Sequence, residues 1–149
     1  MSFNYIRMKS LKIGALLAFG ILFTVGCSKD EDTSGPSIQI NFPKENAVYN
    51  YGDNLYLNIT FSDESGIAVY KYTLEPVHTT GTKFEHTKTI TVTDYLTTYT
   101  TNNTIELPYQ YADEVYFDND TYRLKIIAED FNNNISSKEI IVTIENEVD

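Results

Sequence analysis

The sequence has one cysteine, no tryptophan, seven glycines and four prolines in 149 residues. A single cysteine excludes an internal disulfide. So little Gly and Pro excludes a collagen-like chain, and 42% hydrophobic residues exclude a disordered one. Basic residues are also scarce: the chain has 11 Lys and Arg and 21 Asp and Glu, which gives a formal charge of -10. This charge excludes a nucleic-acid partner, whose phosphates require an excess of Lys and Arg.

The first 26 residues have the pattern of a secretory signal peptide. Three basic residues and no acidic one precede an apolar stretch over 13–25. That stretch is shorter than the ~20 residues of a membrane span, so cleavage is expected after it. Both Met1 and Met8 are compatible start sites.

Cys27 follows Gly26 at the end of the apolar stretch. This arrangement resembles the lipobox of bacterial lipoproteins, in which the signal peptide is cleaved before a Cys whose thiol has been lipidated. The resemblance implies that Cys27 is the lipidated N-terminus, and several acyl chains such as palmitate would anchor it firmly, at ~0.8 kcal/mol per buried CH2. Removal of residues 1–26 takes away three basic and no acidic residues, which leaves a formal charge of about -13.

An acidic run, Ser28 to Asp32, comes directly after the cysteine. It is similar to the signal that sends lipoproteins of Bacteroidota to the outer face of the outer membrane, which implies a lipid-anchored protein exposed on the cell surface. The alternative is that the run is only a solvated linker. We expect residues 27–36 to form a flexible acidic tether and residues 37–149 to form the folded domain.

The remainder of the chain alternates between apolar and polar residues. Leu55, Leu57, Ile59 and Phe61 share one face, which is the period-two pattern of a half-buried strand. Further strands, with their inward residues, are predicted as follows: 37–42 (Ile38, Ile40, Phe42), 67–74 (Ala68, Tyr70, Tyr72, Leu74), 88–93 (Ile90, Val92), 104–107, 122–128 (Tyr122, Leu124, Ile126, Ala128) and 140–144 (Ile140, Val142, Ile144).

About seven strands and no helical period predict an all-β protein, namely a single Ig-like antiparallel β-sandwich. Within this fold the Thr-rich stretch 79–104 has no assigned role. Residues 122–130 with the Asn-rich turn after them, and residues 61–67, resemble strands and turns of bacterial Ig-like, fibronectin-III-like and cadherin-like modules. With its N-terminal segment, the chain resembles a family of Ig-like surface lipoproteins of Bacteroidota. The resemblance also implies that Tyr122 forms a tyrosine corner with nearby backbone, the alternative being a plain core aromatic.

Candidate catalytic residues are few. The two histidines, His78 and His86, fall in a Thr-rich region, and the sequence has no Gly-rich phosphate loop and no HExxH motif. We therefore predict that the protein is not an enzyme. The two histidines with a carboxylate could hold a transition metal, the alternative being that they are solvent-exposed bystanders.

The turns that contain Asp63, Glu64 and Asp130 are expected at the same end of the sandwich. Converging carboxylates suit Ca²⁺, so calcium is the candidate cofactor. The alternative is that Asp and Asn are present there for turn geometry alone.

The outer face of the sheet that contains the penultimate strand is the candidate partner surface. This face is predicted to be basic and apolar, and exposed apolar patches ringed by charge often mark interaction sites. The alternative is that the charges protect the sheet from aggregation. Its residues are Val69, Lys71, Arg123, Lys125, Ile127 and Ile141.

We predict a non-enzymatic cell-surface lipoprotein that acts as a binding or adhesion module. Its partners would be the membrane, through the lipid, and an unidentified protein or glycan. The lack of Trp disfavours a sugar-binding platform, although Tyr side chains could stack on sugar rings. The alternative function is a structural accessory subunit of an outer-membrane nutrient-uptake or secretion assembly.

Overall fold

The computed structural model describes residues 32–112 and 115–146. The predicted signal peptide and Cys27 lie outside these residues. The described strands are β1 (Ser37–Phe42), β2 (Ala47–Asn50), β3 (Asn54–Ser62), β4 (Ile67–Pro76), β5 (His86–Thr91), β6 (Thr98–Glu106), β7 (Tyr111–Ala112), β8 (Val115–Tyr116), β9 (Asp120–Asp130) and β10 (Ile135–Glu145).

Eight of these strands form the two layers of a sandwich. One sheet has the order β1-β3-β6, and the other has the order β2-β10-β9-β4-β5. Neighbouring strands are antiparallel except for β2, which runs parallel to β10. The prediction of an all-β, Ig-like antiparallel sandwich is confirmed. Within the described ranges, no helix has the length and apolar character needed to cross a membrane.

The core lies between the two sheets. Burial alternates strictly along β9, where Tyr122, Leu124, Ile126 and Ala128 are at most 1% exposed. The same alternation along β3 buries its four predicted inward residues. Each buried large apolar side chain contributes ~1.5–3 kcal/mol, so these alternating positions dominate the stability of the fold.

Two β-bulges change which residues point inward. The pairing of β1 with β3 shifts between Ile40 and Phe42, and Phe42, predicted to be inward, is 57% exposed. The pairing of β4 with β9 shifts between Ile67 and Val69. As a result Ile67 is fully buried and Ala68, predicted to be inward, is only half-buried. An extra residue in one strand reverses the inside-outside alternation beyond it, which explains both corrections.

The Thr-rich region contains a longer strand than predicted. β6 spans nine residues, whereas only 104–107 were expected, and β5 begins two residues before its predicted start. The outward positions of β6 from Thr98 to Thr104 carry Thr and Asn, and two of its inward positions, Thr101 and Asn103, are also polar, so the apolar alternation is weak. β2, β7 and β8 were not predicted, since strands of two to four residues carry little pattern.

The hydroxyl of Tyr122 does not form the expected tyrosine corner. It lies 3.1 Å from the Tyr51 hydroxyl and accepts the backbone N–H of Phe84 at 3.3 Å. Tyr51 makes the link to backbone near β9, because its hydroxyl donates to the carbonyl of Asp118 at 2.8 Å. The backbone that leads into β9 is therefore held by a tyrosine from the β2–β3 turn and not by Tyr122.

Candidate functional site

Three carboxylates meet at the end of the sandwich that carries the β3–β4 and β9–β10 turns. Oxygens of Asp32, Asp63 and Asp130 lie within 4.8 Å of one another, and we call these residues the Asp cluster. The structure thus brings Asp63 and Asp130 together, as the topology required. Glu64 is not in this group, and its place is taken by Asp32, which precedes β1.

Asp130 organises the β9–β10 turn. It is 1% exposed, and its Oδ1 accepts the backbone N–H groups of Asn132 and Asn134, both at 2.8 Å. Its Oδ2 accepts the side-chain amide of Asn134, also at 2.8 Å. Asn133 takes a positive φ of 66°, a conformation that Asn tolerates better than most residues. Asp and Asn are therefore used here for turn geometry, whether or not the carboxylates also bind a cation.

Asp32 fastens the segment before β1 to the sandwich. Its Oδ2 accepts the Ser65 hydroxyl at 2.7 Å, and its carbonyl accepts the Asn134 side-chain amide at 3.0 Å. Pro36 is buried, and a side chain at Gly35 would collide with the backbone of Ile135. Residues 32–36, predicted to be part of a flexible tether, therefore pack on the folded domain.

The pKa values of the cluster reflect its crowding. Burial raises the pKa of Asp63, and the charges of Asp32 and Asp130 raise it further. The hydrogen bond from the backbone N–H of Ser65 lowers it, but the net shift is upward. Hydrogen bonds from Ser65 and Ser34 lower the pKa of Asp32. The three oxygen donors fit Ca²⁺ chemically, and the hydrogen bonds account for the same arrangement without an ion. Calcium binding stays a prediction.

The two histidines have separate environments. His78 Nδ1 lies 2.6 Å from Asp120 Oδ1, and the His78 side chain is 67% exposed. Burial tends to raise the pKa of Asp120, but His78, the backbone N–H of Thr121 and the charge of Lys83 together hold it below its usual value. Asp120 thus acts as a buried anchor for the β4–β5 loop.

His86 stacks on Tyr72, with ring centroids 5.8 Å apart, and on Phe84, at 6.3 Å. Burial lowers its pKa, and the charge of Lys88 adds to this effect. Over residues 32–112 and 115–146, the one group of three metal-ligating side chains is the Asp cluster. The structure therefore does not join His78 and His86 in the predicted transition-metal site.

The predicted partner face lies on the outside of the five-stranded sheet. All six of its residues are half-buried outward positions of β4, β9 and β10, and they are Val69, Lys71, Arg123, Lys125, Ile127 and Ile141.

The expectation that this face is basic is wrong. Arg123 lies 3.1 Å from Glu75 and 3.6 Å from Glu139, and Glu129 stands opposite Val69. Neighbouring strands contribute acidic partners that a strand-by-strand count did not include. The face is therefore charge-balanced, which is typical of a solvated sheet surface.

The outside of the three-stranded sheet has a different chemistry. Every outward side chain from Tyr56 to Ser62 of β3 and from Thr98 to Thr104 of β6 is uncharged, and β1 contains no charged residue. We call this surface the neutral face. A groove of about 420 Å³ crosses it. Its lining residues are Phe42, Tyr56, Leu57, Asn58, Asn102, Asn103 and Thr104.

Side-chain amides form a row across the neutral face. Asn41 Nδ2 donates to Asn58 Oδ1 at 2.7 Å, and Asn58 Nδ2 donates to Asn102 Oδ1 at 2.6 Å. Gln39 begins the row by donating to Asn41 at 2.9 Å. Sequence reasoning missed this surface. Its signal was the uncharged alternation of Thr and Asn at 98, 100, 102 and 104, which the weak apolar pattern of β6 obscured.

Comparison with known proteins places the chain in a family. The sequence family described as a domain of unknown function, DUF4625, matches residues 25–145. The chain belongs to the DUF4625 family. No curated protein matches this DUF4625 chain.

The solved structures similar to the DUF4625 domain include two protein modules. The fibronectin(III)-like modules of CbhA from Clostridium thermocellum are 13% identical, with 75% of this chain and 99% of that chain covered and a TM-score of 0.47. The PKD domain of an M14-like peptidase from a Thermoplasmatales archaeon is 15% identical, with 77% and 100% covered and a TM-score of 0.38.

Proposed function

We propose that this DUF4625 protein is a non-enzymatic cell-surface lipoprotein that acts as a binding or adhesion module. It is anchored in the outer membrane through lipid on Cys27, after removal of residues 1–26. The folded Ig-like domain then projects from the cell and carries the binding surface.

The observation that carries this proposal is the difference between the two outer faces of the sandwich. The five-stranded sheet presents paired charges such as Arg123 with Glu75, which keep a surface soluble. The three-stranded sheet presents no charge over most of its area, although the whole chain carries -10. It also exposes two large rings, Phe42 at 57% and Tyr56 at 63%. An uncharged groove with exposed aromatic rings is typical of a ligand site.

The environments of the histidines support a non-enzymatic role. His78 contacts a carboxylate, and His86 is stacked between aromatic rings with its pKa lowered by burial. General-base catalysis requires a histidine within hydrogen-bond reach of a nucleophile. Among the described residues, neither histidine has a Ser or Thr hydroxyl as a hydrogen-bond partner.

The position of the family match supports the anchor. The match begins at residue 25 and therefore includes Cys27 and the acidic run as well as the sandwich. The described domain begins to pack at Asp32, so little chain separates it from the proposed lipid.

Fractionation of Cys27→Ala tests the anchor. In a Bacteroidota host the wild type should sediment with the outer membrane and be degraded by protease added to intact cells. Cys27→Ala should be found in the soluble fraction, and the neighbouring variant Ser28→Ala should behave as the wild type. A membrane-bound, normally processed Cys27→Ala protein would contradict the lipoprotein proposal.

An attachment assay tests the adhesion role separately. The surface is coated with extracellular material of the Bacteroidota host that expresses the protein. More cells should attach to it when they display the wild type than when they make Cys27→Ala. Equal attachment would remove adhesion from the proposed function and leave the accessory-subunit role.

A further inference from the structure

The amide row of the neutral face is fixed before any ligand arrives. Its hydrogen bonds run in one direction, from Gln39 through Asn41 and Asn58 to Asn102, at 2.6 to 2.9 Å. Each amide that donates to the next oxygen has its orientation set by that bond, and consecutive bonds strengthen one another. The row ends at Asn102, whose oxygen accepts from Asn58 and whose NH2 group donates to no acceptor within residues 32–112 and 115–146. The bond that the Asn102 oxygen accepts from Asn58 thus leaves two N–H donors of Asn102 presented at the groove.

Hydroxyl groups border the amide row. Thr60 and Thr100 pair across β3 and β6 at 3.1 Å, and Thr104 lines the groove next to Asn102. Amides and hydroxyls together offer both donors and acceptors at short spacing. A ligand that carries many hydroxyl groups, each of which both donates and accepts, matches this pattern.

The exposed rings supply the apolar part of the site. Tyr56 is 63% exposed and stands opposite Thr104 in the β3–β6 pairing, at the edge of the groove. Phe42 lines the same groove, and the ammonium group of Lys44 lies 5.1 Å from its ring centroid. Lys44 covers one face of Phe42, so Tyr56 provides the freer stacking surface. The negative face of an aromatic ring attracts the C–H groups of a sugar ring.

We propose that the groove of the neutral face binds a neutral glycan chain. A sugar ring stacks on Tyr56, and its hydroxyl groups bond to Asn102, Asn58 and Thr104. This inference rests on the proposed binding function and names the ligand class of that site.

Size and charge agree with this ligand. A volume of about 420 Å³ lies within the ~300–1,000 Å³ of small-molecule sites. Anionic polysaccharides are disfavoured, because the mature chain, without the three basic residues of 1–26, carries 21 acidic against 8 basic residues and would repel them. A protein partner fits less well, because the centres of protein interfaces are enriched in apolar and Arg side chains, and the middle of this groove is amide.

Affinity gel electrophoresis of the detergent-solubilised mature protein tests the proposal. The gels contain one neutral polysaccharide each, namely xylan, mannan, laminarin, starch or galactomannan, with alginate and polygalacturonate as anionic comparisons. Three variants are run beside the wild type: Tyr56→Ala, Asn102→Ala and Tyr95→Ala. Tyr95 is the matched control, because it is 62% exposed and its hydroxyl bonds to Glu64, beyond the opposite end of β3.

We expect at least one neutral polysaccharide to retard the wild type and Tyr95→Ala equally. Tyr56→Ala should bind at least about tenfold more weakly, and Asn102→Ala several-fold more weakly, both with unchanged circular dichroism. No retardation by any neutral polysaccharide, retardation by the anionic ones only, or equal binding by all variants would overturn the proposal. Because purified protein is used, these outcomes do not depend on the anchor, and attachment of displaying cells could still support the broader function.

Discussion

Replacement of Asp130 by alanine should loosen the end of the sandwich that holds the Asp cluster. The substitution removes three hydrogen bonds of 2.8 Å and frees two backbone N–H groups in the β9–β10 turn. Bonds to a charged acceptor contribute about 1.5–3 kcal/mol each when fully buried. The turn residue Asn132 is exposed, so water can replace part of this loss. We therefore expect a destabilisation of about 2–3 kcal/mol.

Thermal unfolding followed by circular dichroism measures this change. A loss of that size should lower the Tm by about 10–15 °C in a domain of this length. Asp130→Asn should lower it by about half as much, because its side-chain oxygen can still accept both backbone N–H groups. Asp53→Ala is the matched control, since Asp53 accepts a single N–H, that of Asn50, at 2.8 Å.

The reasoning would be refuted if Asp130→Ala lowered the Tm no more than Asp53→Ala does. That result would mean that the turn is held by its backbone alone. It would also remove the explanation for why a carboxylate is buried at this position.

Three further predictions concern calcium, the buried hydroxyls and acid. The calcium hypothesis predicts that millimolar CaCl2 raises the Tm of the wild type by several degrees and leaves the Tm of Asp130→Ala unchanged. Equal Tm shifts in the two proteins would contradict the hypothesis. Tyr72→Phe should keep or raise the Tm, because the buried Tyr72 hydroxyl has no hydrogen-bond partner among the described residues. Tyr122→Phe should lower the free energy of unfolding by about 1–2 kcal/mol, because it removes a hydroxyl that is hydrogen-bonded, and similar Tm changes in the two variants would refute this. The pKa of Asp120 is lowered in the fold, so the stabilisation by its carboxylate is present above about pH 4 and is lost as the pH falls through the folded pKa. The Tm of Asp120→Asn should therefore fall less steeply with decreasing pH than the Tm of the wild type. If the two proteins show the same dependence of Tm on pH, the role of Asp120 is contradicted.

The strands that the sequence predicted best are those with one face in the core. Along β9 a half-buried residue, polar or charged except at Ile127, separates each buried one, and the structure reproduces that alternation without a break. The errors fall where alternation is interrupted, as at Ala68, where one extra residue in β4 exchanges inside for outside. A bulge depends on how two strands pair, which a single strand does not reveal.

The candidate sites divide in the same way. Asp63 and Asp130 could be brought together from topology alone, because their turns share one end of an Ig-like sandwich. Asp32 could not, since its position depends on hydrogen bonds made by a segment that has no periodicity. The neutral face was missed because it exists only after β1, β3 and β6 lie side by side, which places Asn41, Asn58 and Asn102 in one row.

The attachment of Asp32 to the turns sets how far the domain can stand from a lipid bilayer. Four residues lie between Cys27 and Asp32 in the sequence, so five residue-to-residue steps join them, and a fully extended chain of that length reaches at most roughly 18 Å. With Cys27 lipidated as proposed, this short link would keep Asp32, and with it the Asp cluster, within that distance of the anchored residue, so the domain could not act far from the bilayer.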